Sequence, residues 1–447
     1  MDDLVLPSIF RVADFATWTV AAAHTQAAAF LTARNGAGTT PQVSITPREA
    51  AIAFRSERYL RLNGEPTFDW APLSGDYQTT DGWIRLHCNF DHHAAIACQV
   101  LGVPQDRSAL EAAVRRRNRF ELEDAITEAG GVAAAMRSRT EWAAHEQSQA
   151  LAKQPLVALT PIAGGETFAA ICAATNSDRA RPASRNHNTN TNTNHLPRPL
   201  SGIRVLDLTR IIAGPNAGRV LAAYGADVTM IRSPLLPTIR GLDLDLNFGK
   251  SLRFLDLRSA AGHSTFLDLV RSADIVLQSY RPGALAALGL GPSDLAALNP
   301  RLIYASISAY GTTGPWAARR GFDSLVQMAV GIADEGMQAS SAPRPVPLPA
   351  QVLDHAAGWL TAAGAIEALN RGGGLTVDVS LAGVSAALDR LGRWDPSIGL
   401  AVPDPALSDV EGLLLHTPTS AGTLTHVRFP GRIPGAEIGW SGPPPIV

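Results

Sequence analysis

PLSGIRVLDLTRIIAGPNAGRVLAAYGADVTMIRSP, residues 199–234, reads as a strand, a sharp turn, a helix and a second strand. Ile203, Val205, Leu206 and Leu208 make a nearly continuous apolar run, the pattern of a parallel strand covered on both faces. Ala213, Gly214 and Pro215 break that run. Gly214 permits an unusual backbone angle, and Pro215 suits the first turn of a helix, where its missing N–H costs nothing. Small and apolar residues recur at helical spacing over 216–224, Gly225 ends the helix, and 226–231 supplies the next strand. A helix that begins on such a turn offers free N–H groups and a positive dipole end to an anion. A nucleotide, or a coenzyme with a diphosphate, is the natural ligand; a βαβ unit without any ligand is an equal alternative.

Composition narrows the field. The 447 residues have room for two or three domains, and 46% apolar with 17% charged residues suits a globular protein with sizeable cores. A net charge of −2 carries no electrostatic footprint for nucleic acid or an anionic membrane. Cys88, Cys98 and Cys172 cannot build a disulfide framework, which points to a reducing compartment. No apolar run reaches membrane-span length, the start MDDLVLPS does not read as a signal peptide, and PPPIV is not a peroxisomal address, so the cytoplasm is the expected location.

In chain order, a helix is expected up to Asn35-Gly36, with Val12, Phe15, Ala16, Thr19, Val20 and Ala23 on one face. A short strand QVSI and a charged amphipathic segment, REAAIAFRSERYL, follow. Gly75, Asp81 and Gly82 mark a hairpin that leads into a helix near Asp91. Further helices are expected over 108–126 and 140–151. Residues 174–198, polar and carrying an Asn-Thr repeat, cannot bury enough surface to offset chain entropy and read as a flexible tether. Beyond it, strands at 203–208, 227–231, 252–255, 275–278 and 302–306 alternate with helices or crossovers, the pattern of a doubly wound α/β sheet. Lys250, Arg281, Arg319 and Arg320 lie in or near loops at the carboxyl ends of these strands, where they could meet phosphates or simply face solvent. Asp354 opens a helix, VLDHAAGWLTAAGAIEAL, that is almost wholly apolar or small. By spacing alone a cap is the simpler role for it, with nucleophile or base as the alternative. TVDVSL is a further strand, and a terminal hairpin is expected around LTHVRFPG.

These segments carry a resemblance. PLSGIRVLDLTRIIAGP, NFGKSLRFLDLRS, ADIVLQSYRPGALAALGLG, LNPRLIYASISAYGTTGPW, RRGFDSLVQ, QVLDHAAGWLTAAGAIEAL and TVDVSL occur in the order seen in class III CoA-transferases, the family that also holds α-methylacyl-CoA racemases. The resemblance implies a Rossmann-like CoA-binding domain, a smaller α+β domain, and Asp354 as nucleophile. It further implies an aspartyl anhydride and an aspartyl-CoA thioester as intermediates. Ile211, Ile212 and Ala213 would line the coenzyme site, Lys250 and Arg320 would lie near phosphates, and Ser279, Tyr280 and Arg281 beside nucleotide or pantetheine. An acyl-CoA donor and a carboxylic acid acceptor are the implied partners, with no tightly bound cofactor and no metal. Family transferases are interlocked homodimers, whereas a fused chain would bury the same contacts internally.

Departures qualify it. Phe322 stands where racemases of the family carry a histidine, and phenylalanine moves no proton. Ser233 is neutral where charge is common. VADFATWTVAAA followed by QVSITPREAAIAF echoes VLDHAAGWLTAAG followed by TVDVSLAGVSAAL, placing Asp14 opposite Asp354 and Ser44 opposite Ser380. The expected organisation is an N-terminal half-copy with the small domain over 1–172, a linker over 173–198, the CoA-binding domain over 199–393, and a Pro/Gly-rich tail over 394–447. Asp354 is the expected nucleophile and Asp14 a relic. His87, Cys88, Asp91, His92 and His93 read as packing rather than a zinc site. CoA transfer is the leading function; an acyl-CoA epimerase or an inactive CoA-binding protein are the alternatives.

Overall fold

The computed structural model describes residues 4–36, 38–67, 69–166 and 196–446. A seven-stranded sheet lies at its centre, in the order Ala158–Pro161, Leu375–Ser380, Ile303–Ser308, Ile275–Gln278, Arg204–Asp207, Asp227–Arg232, Lys250–Phe254. All neighbours are parallel except the first strand. Numbered along the chain, the six parallel strands stand 6-5-4-1-2-3, the Rossmann arrangement. Strand order therefore reverses between Arg204–Asp207 and Ile275–Gln278, and their carboxyl ends open a crevice there. The strands expected from residue 203 onward in this sheet are all present, their ends displaced by at most two residues.

The decisive βαβ unit differs in one detail. The helix spans Ala213–Ala223 and Gly225 follows it at φ +98°, as anticipated. The unusual backbone angle, however, falls on Ile211 at φ +74° and not on Gly214. A β-branched residue is strained in that region. Gly214 is helical, and its missing side chain leaves room for Thr209.

The N-terminal part does not stand apart from this sheet. The helix Val12–Asn35 buries the predicted face, ends at Gly36 in the left-handed region, and packs along the Asp354 helix, Val352–Asn370. Buried His24 ties it down: Nδ1 meets the Tyr224 hydroxyl at 2.7 Å and Nε2 the Pro430 carbonyl at 3.0 Å. Ala158–Pro161, which the sequence did not disclose, adds an antiparallel edge to the main sheet. The C-terminal hairpin Leu414–Thr419 and Gly422–Val427 forms as expected and pairs with Arg61–Leu62, near the other end of the chain. The small α+β module consists of an antiparallel sheet, Gly75–Gln78, Trp83–Leu86 and Ala133–Ala135, covered by helices Asp91–Leu101, Arg107–Val114 and Arg119–Glu128. Most of the expected linker, up to residue 195, together with Cys172, His187 and His195, lies outside the described residues.

Three local expectations are corrected. QVSI contributes a single bridge, Ser44 to Arg432, because no neighbouring strand continues the ladder. The helix expected over 108–126 is two helices, the second restarted by Asn118, whose side chain accepts from the N–H groups of Phe120 and Glu121. The helix over 140–151 breaks at His145 in the same way. Among the described residues no helix is long and apolar enough to cross a membrane.

Two helices meet backbone to backbone at the centre. A Cβ on Gly358 would stand 2.6 Å from the Ala213 carbonyl oxygen and 2.7 Å from Asn216 Nδ2. The same Asn216 amide donates to the His355 carbonyl at 3.0 Å. We expect Gly358→Val to lower stability by about 2–3 kcal/mol through overpacking. Urea unfolding would show it as a fall in the midpoint with little change in slope.

Candidate active site

The helix Val352–Asn370 starts without a side-chain cap of its own. The missing acceptor comes from another element. Asp323 begins the helix Asp323–Ala329, and its carboxylate accepts from the Asp354 N–H at 2.9 Å and from the Leu353 N–H. Gln327, one turn on, donates to the second Asp323 oxygen and accepts from the Leu348 N–H at 2.7 Å. The expectation that Asp354 could be merely a cap is thus replaced: Asp323 caps, and Asp354 is left over. Among the described residues the Asp354 carboxylate accepts no hydrogen bond.

Asp354 is buried and lines a cavity of about 250 Å³. Ile211 and Ile212 line the same cavity, so the strained turn and the aspartate share one wall. The opposite walls come from segments that the sequence did not connect to this site. Glu57 and Arg58 arrive from the short helix Ser56–Tyr59, His87 and Asn89 from the end of the small module's hairpin. Asn89 Oδ1 accepts from the Ser74 hydroxyl at 2.6 Å, which fixes its amide plane. His87 lies flat on Phe322, ring centroids 3.7 Å apart and planes 4° from parallel. The residue that replaces the racemase histidine therefore closes the cavity against the small module.

The electrostatics are those of crowded carboxylates. Burial raises Asp354 well above the ordinary carboxylate range, and the charges of Asp323 and Glu57 push it the same way. Asp323 is raised to about 6, by burial first, with its N–H donors opposing. Glu57 goes the other way: burial works to raise it, but the hydrogen bond and charge of His355 outweigh that and lower it. His355 Nε2 lies 3.1 Å from Glu57 Oε2 and is fully buried, packed on Phe54. Burial also lowers His87, to about 3, so its imidazole is neutral near pH 7.

The remaining predicted residues divide. Ala213 starts the helix beside Gly358. Tyr280 and Arg281 line a second hollow of about 150 Å³ at the carboxyl end of Ile275–Gln278, and Ser279 lies between that strand and Tyr280. Arg320 donates to the Gly130 carbonyl at 2.8 Å, and its pKa is lowered by burial and by Arg281. Arg210, which sequence reasoning passed over, adds a third cation: burial chiefly lowers His93, aided by His92, Arg320 and Arg210. Arg210, Arg281 and Arg320 thus make a basic rim at the switch point. Lys250 is not part of it. Its ammonium is fully enclosed and donates to Asp207 at 2.8 Å, the Pro215 carbonyl at 2.8 Å and Asn247 at 3.0 Å, leaving no donor for a phosphate. Arg319 is likewise held, by Glu123 at 3.3 Å and by the Trp316 ring. Asp14 is half-buried and paired with Arg11 at 2.6 Å, away from the cavity lining.

The family model described as CoA-transferase family III matches residues 7–183 and 200–391. The probable fatty acyl-CoA transferase Rv3272 of Mycobacterium tuberculosis is 38% identical over 185 residues, covering 38% of this chain and 46% of that protein. The succinate–glutarate CoA-transferase of Agrobacterium fabrum is 33% identical over 256 residues, 51% of this chain and 62% of its own. Human succinyl-CoA:glutarate CoA-transferase is 30% identical over 249 residues, with 49% and 56% covered. The chain spans about half the length of these curated relatives. A crystal structure of the Mycobacterium tuberculosis protein Rv3272 aligns at 35% identity with a TM-score of 0.40, covering 44% of this chain and 58% of that one.

A reaction that uses ionised Asp354 must rise with pH as its elevated pKa is passed, and so only above the ordinary carboxylate range. Glu57→Gln removes one of the charges that raises it. A kcat/KM profile should then show its acidic limb moved to lower pH; an unmoved limb would mean that Glu57 does not act on Asp354.

Proposed function

We propose, from the premise that this chain belongs to CoA-transferase family III, that it moves CoA from an acyl-CoA thioester to a carboxylic acid through Asp354. The observation that carries the reading is a buried carboxylate, free of hydrogen bonds among the described residues, that opens onto a cavity at the mouth of an apolar helix. A nucleophile needs such freedom, whereas a structural aspartate would be occupied as Asp323 is.

The steps follow from the atoms available. The Asp354 carboxylate attacks the thioester carbonyl, the C–S bond breaks, and a mixed anhydride is left with CoA thiolate beside it. The thiolate attacks the aspartyl carbonyl and releases the donor acid, which gives an aspartyl-CoA thioester. The acceptor carboxylate attacks that thioester and forms a second anhydride. The returning thiolate then attacks the acceptor's acyl carbon, and Asp354 is restored. No proton or water is consumed. Exclusion of water therefore matters most, since water would hydrolyse either intermediate. The helix Val352–Asn370, with 16 of its 19 residues buried, supports that exclusion. Burial also leaves the carboxylate poorly solvated, which favours attack once it is ionised.

CoA is placed by the basic rim. Arg210, Arg281 and Arg320 would face its phosphates at the switch point, and the turn at Ile211 and Ile212 would pass its pantetheine arm toward Asp354. Tyr280 lines the hollow beside Arg281, and Ser279 adjoins it in the chain, so both would border the coenzyme. Phe322 favours transfer over epimerisation, because the ring on His87 supplies no second base.

Incubation with acyl-CoA followed by hydroxylamine should convert Asp354 to its hydroxamate, located by peptide mass spectrometry. Asp354→Ala should lower turnover by at least about 1,000-fold. Label on Asp14, or transfer retained in Asp354→Ala, would overturn the assignment.

A further inference from the structure

Asn89 follows the last strand of the small module's hairpin and lines, half-buried, the cavity that holds Asp354. Its amide is held from one side. Oδ1 accepts from the Ser74 hydroxyl at 2.6 Å and from the Ala71 N–H at 3.4 Å. The Ser74 oxygen in turn accepts from the Cys88 N–H at 2.8 Å, which leaves its own proton for Asn89. A backbone N–H can meet only the oxygen end of an amide, so these contacts set the nitrogen on the other side. There Nδ2 has no partner among the described residues, and it is not spent on the nucleophile, whose carboxylate accepts no hydrogen bond. The other polar groups of the lining stand differently. Glu57, Asp69, Asp323 and Asp354 are carboxyl groups. Arg58 is exposed, and Arg61 Nη1 donates to the carbonyls of Arg58 and Leu60 at 2.8 Å each. His87 Nδ1 and the Ser324 hydroxyl are sealed and without a partner. Asn89 is thus a neutral donor that is both fixed in place and open.

We propose that the Asn89 amide is an oxyanion donor for the acyl transfers at Asp354, an inference that rests on the CoA-transfer reading of that residue. When the Asp354 carboxylate adds to the thioester carbonyl, the C=O π pair moves onto oxygen. It returns as the C–S bond breaks and the thiolate leaves. The same charge develops each time thiolate or acceptor carboxylate adds to an acyl carbon. Nδ2–H donates to that oxygen and keeps its proton, so the proton count of every step is unchanged. A donor already held by Ser74 and Ala71 needs no reorganisation as the charge appears, whereas a solvated arginine must be drawn in and stripped of water. Being neutral, the amide does not pair with the attacking carboxylate as a cation would. It gains most where the oxygen carries most charge, which is the condition for raising kcat.

The test measures steady-state transfer and the single-turnover labelling of Asp354, with acetyl-CoA, propionyl-CoA and succinyl-CoA as donors. Asn89→Ala should lower kcat by about 100- to 1,000-fold and leave the KM for acyl-CoA within about threefold. Asn89→Asp keeps an oxygen for Ser74 and Ala71 but has no donor, so its kcat should fall at least as far. Ser74→Ala keeps the donor and frees the amide plane, and should lower kcat by a smaller factor, roughly 10-fold. Thermal unfolding of each variant establishes that it is folded. Near-wild-type kcat in Asn89→Asp would overturn the inference, because it would mean that only the contacts to Ser74 and Ala71 matter. So would a loss in Asn89→Ala that falls on KM with kcat retained. If Asp354 is labelled in the wild type and Asn89→Ala forms the label at the same rate, only the role of Asn89 fails. If no label forms in the wild type with any of the three donors, the transfer reading fails and takes this inference with it.

Discussion

The contact between Gly358 and the Ala213–Asn216 turn sets the geometry on which everything else depends. Two helices approach so closely that a single methyl would collide with a carbonyl oxygen, and an asparagine amide bridges them to the His355 carbonyl. One helix begins on the strained turn at Ile211, and the other carries Asp354 in its first turn. Their mutual distance fixes how far the aspartate lies from that turn. Close backbone packing of this kind is rigid, because no side chain intervenes to adjust. Directly beneath, Lys250 and Asp207 form an enclosed pair that holds the Pro215 carbonyl, so the turn is fixed from below as well. Removing one member of such a pair would leave an uncompensated buried charge at a cost of about 3–5 kcal/mol.

The N-terminal part of the chain completes the site. Ser56 and Arg219 share Asp245 in a buried network, which sets the short helix carrying Glu57 and Arg58 against the Ala213–Ala223 helix. Arg319 and Arg320 reach in the opposite direction, to Glu123 and the Gly130 carbonyl of the small module. The loop between them and Asp323 is thereby anchored on that module, and Phe322 is pressed on His87. Arginines that look in sequence like phosphate ligands are here partly structural. The cations at the switch point are Arg210, Arg281 and Arg320, and of these Arg320 is itself held by the Gly130 carbonyl.

The repeat between the two halves has a structural counterpart and an asymmetry. Val12–Asn35 and Val352–Asn370 each begin with Val-x-Asp and pack against each other. Ser380 caps the helix after the second copy, accepting from the Gly383 N–H at 3.2 Å, whereas Thr46 and not Ser44 caps the helix after the first. Asp354 is desolvated among carboxylates, while Asp14 is half-exposed and neutralised by Arg11. Identical residues in matching helices thus have opposite chemical standing, and the difference lies in their surroundings.

Local pattern determined much of this protein. The strands of 199–381, the turn at 211–215, the face of the first helix and the hairpin of the small module follow from period and punctuation, which act over a few residues. So does the place of Asp354 in a helix of small residues. Tertiary structure decided what those residues are for. Nothing near Asp323 shows that it caps a helix 31 positions away, and nothing near Glu57 announces a histidine 298 positions away. Lys250 reads as a loop cation until its three acceptors enclose it. Hydrogen bonds and desolvation depend on what the fold brings together. Sequence spacing therefore located the frame around Asp354, and only packing settled which charges are matched, as Lys250 is, and which, like the Asp354 carboxylate, accept no hydrogen bond among the described residues.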